Sequence, residues 1–533
     1  MRKKNLRRYN GILILILCIF AILSVRLYFL TVHPTERVEA NYKNHQTENI
    51  SNSKYMLLDT NGKDLMTYKK KYVLVIDSRP FSLNNYGETL EDLMALNFIM
   101  KAETEEFNYT DVMRSQGKLY YEISEETYDK INKLNNLKGV YTFISDEIDM
   151  KEAWSVSAMF SNISEEGLYK DSLNEEVFNN IKNNIIPKKN FYLDEKNTYS
   201  IDELNLNKEN RNVKLTIDKE FEDIIRGVLS KEEYIDYKNV GVTLIESNTG
   251  KIKAMVQKDE SQANINLGIE GVGYEPGSIY KLITYAAALE EGFITPYNTV
   301  SCNGKMCNGK VHGTLTIEEG LIRSCNDVFG AIGRKVGYDK LMEYSERVGI
   351  FKRVLNFQGE NKNETAGMKP LNDDPKNNNK IALISIGQAM NVSPIQMLGA
   401  VNSIVNDGVY IKPYIVESIV DNEDKKIKQY KTTEERIFTE TTSKLVKNDM
   451  KDVVINGTGK GAYVKDVNVG GKTGSSSSSR GTTHGWFAGY FTINNIEYTM
   501  IVFVPDLVEE KSIGGGTTAA PIFKDIVLEL KSK

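Results

Sequence analysis

The chain has 533 residues, 41% of them hydrophobic and 26% charged, enough for roughly three domains that each bury a core. Its 72 Asp and Glu against 67 Lys and Arg give a net charge of −5, which leaves no global positive field to hold a phosphate backbone and argues against nucleic acid as a partner. The four Cys (Cys18, Cys302, Cys307, Cys325) and four His (His33, His45, His312, His484) are too few and too scattered along the chain to predict a structural zinc module or a disulfide scaffold.

Residues 1–10 carry Arg2, Lys3, Lys4, Arg7 and Arg8 with no acid, and residues 11–32 are apolar apart from Ser24, Arg26 and Thr31. That length crosses a hydrocarbon layer as a helix, and the basic flank predicts a cytoplasmic N-terminus with the rest of the chain outside. A cleaved signal peptide is the alternative, but no cleavage site of small residues closes the apolar run.

Residues 33–211 are polar and rich in Asn, Lys and Glu, with a strand expected at 72–77, a helix at 125–134 and no catalytic signature. Beyond residue 213 the texture changes. Residues 215–229 read as a strand and an amphipathic helix, and two apolar runs at 242–246 and 252–256 flank Asn248-Thr249-Gly250, the pattern of a β-hairpin. A helix-rich middle follows, then strands expected at 464–470, 486–491 and 498–504 and a final helix at 518–530. Two early and three late strands with helices between them predict an α+β domain whose sheet is completed by both ends of the segment. The one low-complexity stretch is 475–479.

Three short patterns carry chemistry. Glu275-Pro276-Gly277-Ser278-Ile279-Tyr280-Lys281 opens an apolar helix that Gly292 stops. Ser278 then stands at the positive end of that helix, with Lys281 three residues on and on the same face. Burial disfavours the charged ammonium, lowers the lysine pKa and lets it take the proton of Ser278 as that hydroxyl attacks a carbonyl. The spacing alone is weak, since Ser51/Lys54 and Ser115/Lys118 repeat it in polar surroundings that read as solvated surface. The second pattern, Ser324-Cys325-Asn326, follows a capping box begun by Thr316 and Glu319. Its hydroxyl can relay a proton and its amide can grip a substrate amide. A plain interhelical loop is the competing reading, because Ser-x-Asn recurs at Ser82/Asn84 and Ser172/Asn174. The third, Gly470-Gly471-Lys472-Thr473-Gly474-Ser475, sits at the end of an apolar strand. Its glycines admit a substrate backbone, and Lys472 with the Thr473 and Ser475 hydroxyls makes a site for a carboxylate. A phosphate loop fails on spacing.

Ser-x-x-Lys, Ser-x-Asn and Lys-Thr-Gly in this order resemble the penicillin-binding proteins and serine β-lactamases. Further stretches resemble the transpeptidase domain of class B penicillin-binding proteins: Leu215-Thr216-Ile217-Asp218, His312-Gly313, Ile386-Gly387-Gln388, Ser393-Pro394, Asn456-Gly457-Thr458-Gly459, and His484-Gly485-Trp486-Phe487-Ala488-Gly489-Tyr490. The resemblance covers about 213–530. It implies a penicillin-binding transpeptidase fold, an antiparallel sheet flanked by helices, over 212–533, behind a cytoplasmic tail (1–10), a transmembrane anchor (11–32) and an elongated α+β pedestal (33–211). It implies a D,D-transpeptidase that cross-links peptidoglycan and needs no cofactor. Ser278 would attack the D-Ala-D-Ala carbonyl of a stem peptide, with Lys281 as base, Ser324 as proton carrier and Asn326 orienting the peptide. The backbone N–H groups of Ser278 and Ser475 would form the oxyanion hole. Lys472, Thr473, Gly474 and Ser475 would hold the terminal carboxylate, and β-lactams would imitate the substrate. A membrane-embedded glycan polymerase is the implied partner.

Two departures stand out: Ser475 replaces the family's usual Thr, and around 55–62 only Asp59 and Asn61-Gly62 fit the family's pattern. Cys302 and Cys307 leave both a disulfide and two thiols open. The rival readings are a membrane-anchored β-lactamase or β-lactam sensor, for which no deacylating carboxylate motif is evident, and an inactive cell-wall scaffold, which has no need of Ser278 and Lys281 together.

Overall fold

A computed structural model describes residues 2–32, 44–149, 155–161, 163, 165, 167–205, 207–269, 271–359, 363–371, 374, 376–477, 481–508 and 514–533. Residues 33–43 of the expected pedestal and 478–479 of the serine run lie outside them. The chain forms two compact units that interleave along the sequence, whereas the reading above places one boundary at 211.

The first unit comprises Met1–Lys54, Tyr68–Ile148 and Ile185–Asn207. It begins with one unbroken helix, α1 (Arg2–Val32). The side chains described in α1 are those of residues 13–28, with Leu13, Phe20 and Leu27 each more than half exposed. Among the described residues no helix is long and apolar enough to cross a membrane; 13–28 is shorter than the about 20 residues a bilayer requires. Two three-stranded antiparallel sheets follow. The strand expected at 72–77 lies within Tyr68–Asp77, and its period of two serves two cores. Leu74 and Ile76 join Phe81, Leu93 and Leu96, while Val73 and Val75 join Tyr141, Phe143 and Phe191. The expected helix at 125–134 is Glu125–Ile131, capped by Ser124 through the Thr127 N–H.

The second unit comprises Tyr55–Thr67, Asp149–Asn184 and Lys208–Lys533. Its central sheet has five strands, β1 (Gly241–Glu246), β2 (Ile252–Gln257), β3 (Val469–Ser477), β4 (Thr483–Ile493) and β5 (Ile496–Leu507). The order β2-β1-β5-β4-β3 is antiparallel throughout, so both ends of the segment complete the sheet, as expected. On one face lie α2 (Lys219–Leu229) and a C-terminal helix (Ala519–Lys531), which pack Ile225, Val228, Phe523 and Ile526 on Val242, Leu244, Phe487 and Met500. The helix Pro394–Val405 is buried at every position, and its Asn402 joins β5 through Thr499 Oγ1 at 2.7 Å.

One strand departs from expectation. β3 begins at Val469, not 464, and continues to Ser477, so Lys472-Thr473-Gly474 lies inside a strand instead of at its end. Lys472 pairs with Ala488 and Gly474 with Trp486. The hydrogen-bond ladder of β4 carries β3 on past Gly470 and Gly471.

Candidate active site

Ser278 sits in a single 3-10 turn, Gly277–Tyr280, and α3 (Lys281–Glu290) continues from it. Gly277 has φ +55°, and a Cβ there would stand 2.4 Å from the Ser475 carbonyl oxygen, so glycine lets the serine turn touch β3. All of α3 from Lys281 to Ala288 is buried. The Ser278 side chain is half-buried, and its hydroxyl has no hydrogen-bond partner among the described residues.

The second pattern arrives on a capped helix pair. The expected capping box is present: Thr316 caps α4 (Ile317–Ile322) and Glu319 returns the bond. Ser324 takes φ +53°, strained for a serine, and α5 (Asn326–Val336) starts at once after Cys325. This bend turns Ser324 and Asn326 towards the lysines of α3 and β3. Lys281 Nζ donates to the Ser324 carbonyl at 2.8 Å and to Asn326 Oδ1 at 2.6 Å, and lies 3.2 Å from Ser324 Oγ. Lys472 Nζ donates to the same Oγ at 2.9 Å and to the Thr473 carbonyl at 3.0 Å. The Asn326 amide is fixed from behind, donating to the Met306 carbonyl at 2.9 Å.

Both lysines are fully buried. Burial lowers Lys281 from 10.5 to about 7, and burial together with the neighbouring Lys281 holds Lys472 well below 10.5. A neutral Lys281 has two N–H groups for Ser324 O and Asn326 Oδ1 and keeps a lone pair. Ser324 Oγ, accepting from Lys472, keeps its own proton to pass on.

On the far side of Lys472, Thr473 Oγ1 lies 2.8 Å from Thr458 Oγ1, and the exposed Ser475 accepts from the Gly515 N–H at 3.2 Å. All eight residues singled out from sequence, Ser278, Lys281, Ser324, Asn326, Lys472, Thr473, Gly474 and Ser475, thus stand on three neighbouring elements of the second unit. The look-alike patterns do not join them: Ser51/Lys54, Ser115/Lys118 and Ser82/Asn84 belong to the first unit, and Ser172 caps the helix Leu173–Ile181. Sequence reading assigned no role to Met306, to Thr458 or to the Gly514-Gly515-Gly516 run. Three consecutive glycines ahead of a helix were the available signal for the last.

A further cluster lies beside Asn326. Cys302, Cys307, His312 and Cys325, all within 24 residues of chain, bring three thiols and an imidazole nitrogen within 4.8 Å of one another. The Cys302 and Cys307 sulfurs are 3.8 Å apart, and both are free thiols. Burial pushes Cys325 up to about 12 and lowers His312. Soft donors so placed could hold a divalent ion of the zinc type. The scatter that argued against a metal module is removed by the hairpin of Thr299–Cys302 and Gly313–Thr316, which folds 302 and 312 back towards the start of α5.

The fold and the three motifs gathered on it define the penicillin-binding class of proteins. Residues 240–528 match the family described as the penicillin binding protein transpeptidase domain, more than half of the chain, and the chain belongs to that family. Within it the chain is a class B penicillin-binding protein and a peptidoglycan D,D-transpeptidase. It is 28% identical to Stage V sporulation protein D of Bacillus subtilis over 99% of this chain and 86% of that one. It is 23% identical to penicillin-binding protein PbpB of Mycobacterium tuberculosis over 59% of this chain and 51% of that one. A peptidoglycan synthetase from Bifidobacterium adolescentis shares the fold, with a TM-score of 0.62, 18% identity and coverage of 92% of this chain and 96% of that one.

Proposed function

We propose that the enzyme works through a serine acyl-enzyme. Ser278 attacks the D-Ala-D-Ala carbonyl of a stem peptide, Lys281 takes its proton, and Ser324 hands a proton to the departing D-Ala. Asn326 orients the peptide, and the backbone N–H groups of Ser278 and Ser475 hold the oxyanion, each such donor being worth about 3 kcal/mol in acyl-transfer enzymes. Lys472, Thr473 and Ser475 take the terminal carboxylate, with Gly474 leaving room for the substrate backbone. An amine on a neighbouring stem then resolves the ester.

The observation that carries this reading is one hydroxyl, Ser324 Oγ, within 3.2 Å of two buried lysines on different elements, one of which directly follows the turn of Ser278, whose hydroxyl has no partner among the described residues. The test is labelling with a fluorescent penicillin. The wild-type chain is expected to carry a stable covalent label that Ser278→Ala loses. A label that survives Ser278→Ala, or that turns over within seconds with steady hydrolysis of the antibiotic, sinks the reading.

The same proposal places residues 1–10 in the cytoplasm, 11–32 in the membrane as an anchor and the enzyme outside, with the part of 33–211 that belongs to the first unit as a pedestal reaching a membrane-embedded glycan polymerase. The basic flank and the exposed apolar side chains of α1 support the anchor. The likeness to a sporulation protein over almost the whole chain supports service in spore formation.

A further inference from the structure

We propose that Thr458 and the Gly514-Gly515 turn are positioning residues for carboxylate recognition. Each makes a β3 hydroxyl accept a hydrogen bond, so that the hydroxyl's own proton is left for the substrate. The inference rests on the reading that Thr473 and Ser475 take the terminal carboxylate.

A hydroxyl has one proton and two lone pairs, whereas a carboxylate only accepts. A serine or threonine that binds a carboxylate must therefore donate to it, and a neighbour that accepts competes for that proton. Thr473 and Ser475 are two apart on β3 and point to the same face. Ser475 Oγ meets the Gly515 N–H at 3.2 Å, a group that can only donate, so the Ser475 proton stays free. Thr473 Oγ1 faces Thr458 Oγ1 at 2.8 Å, a pair in which either hydroxyl can donate, and accepts from Lys472 Nζ at 3.5 Å. With Thr458 donating, Thr473 has its acceptor sites occupied and its proton directed outwards. Thr473 is 6% exposed, and Thr458 is the hydroxyl that meets it.

The turn reaches its place because it has no side chains. A Cβ on Gly515 would stand 2.0 Å from the Trp486 carbonyl and 2.4 Å from that of Gly474, and one on Gly514 would stand 2.5 Å from Ser475 Oγ itself. Thr458 is exposed, so its hydroxyl is not there to satisfy a buried group. Among the described residues the one hydrogen bond of its hydroxyl goes to the substrate-binding strand.

The experiment compares acylation of the full-length protein by a fluorescent penicillin with its free carboxylate and by the methyl ester of the same compound. Wild type is expected to prefer the acid. Thr458→Val and Gly514→Ala should each slow acylation by the acid about 3- to 10-fold, the span of one neutral hydrogen bond, and change that by the ester less than about 2-fold. Thr458→Ser should restore the acid rate. Should Gly514→Ala fail to fold, the Thr458→Val and Thr458→Ser pair carries the test. Equal losses on acid and ester, or none on either, overturn the positioning role while leaving the acyl-enzyme reading intact. A wild type that takes acid and ester equally fast removes the carboxylate reading and this inference with it, and a wild type that takes neither removes the acyl-enzyme reading.

Discussion

Lys281 shows how one residue's surroundings set its chemistry. An ordinary lysine is protonated at neutral pH and cannot accept the proton of Ser278. Complete burial, with the Phe329 ring centroid 5.6 Å from Nζ, removes the water that would stabilise the ammonium, which brings Lys281 down to about 7. The hydrogen bonds to Ser324 O and Asn326 Oδ1 satisfy either protonation state, so burial decides. The consequence has a definite sign: the amine is neutral above about 7 and charged below it. The rate constant for acylation by a fluorescent penicillin should therefore rise as pH increases through about 7 and level off above it. Lys281→Arg, which keeps the charge at every accessible pH, should lose at least about 100-fold, the lower range for a general base. A rate that is flat from pH 6 to 9 in the wild type would show that the neutral amine is not needed. Lys472, lowered by its own burial and then by Lys281, cannot readily share a second positive charge with it, which ties the two protons together.

At the scale of elements, the site is an encounter between a helical turn and a strand. The 3-10 turn of Ser278 meets β3 at the Gly277–Ser475 approach, where any side chain on 277 collides with backbone and a φ of +55° adds strain. Gly277→Ala should separate turn from strand and lower the acylation rate about 10- to 100-fold, because a displacement of about 1 Å at reacting groups has that effect. The matched control is Gly227→Ala in α2, where a Cβ meets nothing within 4 Å and the helix gains a better former. That variant should keep full activity and gain about 0.5–1 kcal/mol of stability by denaturant unfolding. Equal activity in both variants would show that the close approach is not what aligns Ser278. The same elements show what was legible beforehand. The hairpin β1–β2, the capping box of α4 and the terminal helix follow from local periodicity and capping chemistry, which neighbours in sequence settle. The extent of β3 does not, since its glycines and serines are held extended only by pairing with β4. Nor does Ser324 at φ +53°, nor the meeting of Thr458 with Thr473, for these are products of tertiary packing.

At the scale of the molecule, a catalytic part beginning at residue 212 was legible as a change in texture, but the core does not begin there. Leu57 and Leu58 form a short strand that pairs in parallel with Val213 and Lys214, inside the second unit. The fully buried Asp59 binds the Asn61 and Lys63 N–H groups at 2.8 Å and reaches the Lys219 N–H, at the start of α2, at 3.2 Å. Phe160, 2% exposed, packs edge-on against Phe357 with centroids 6.4 Å apart, and its carbonyl accepts from the Tyr55 hydroxyl. These segments are short and polar in sequence, and their apolar residues find partners more than 100 positions later, which local reading cannot see. Burying Leu57 and Leu58 alone is worth about 3–6 kcal/mol, a large part of the about 5–15 kcal/mol that holds a domain together. A fragment of residues 212–533 should therefore melt at least about 10 °C below one of residues 44–533, or without a cooperative transition, when both are followed by thermal unfolding. Its labelling by a fluorescent penicillin should fall in step, since α2 and the central sheet share one core. If the shorter fragment melts cooperatively within about 2 °C of the longer one and labels as fast, the early segments decorate the catalytic unit instead of completing it, and the single boundary read from texture is the physical one.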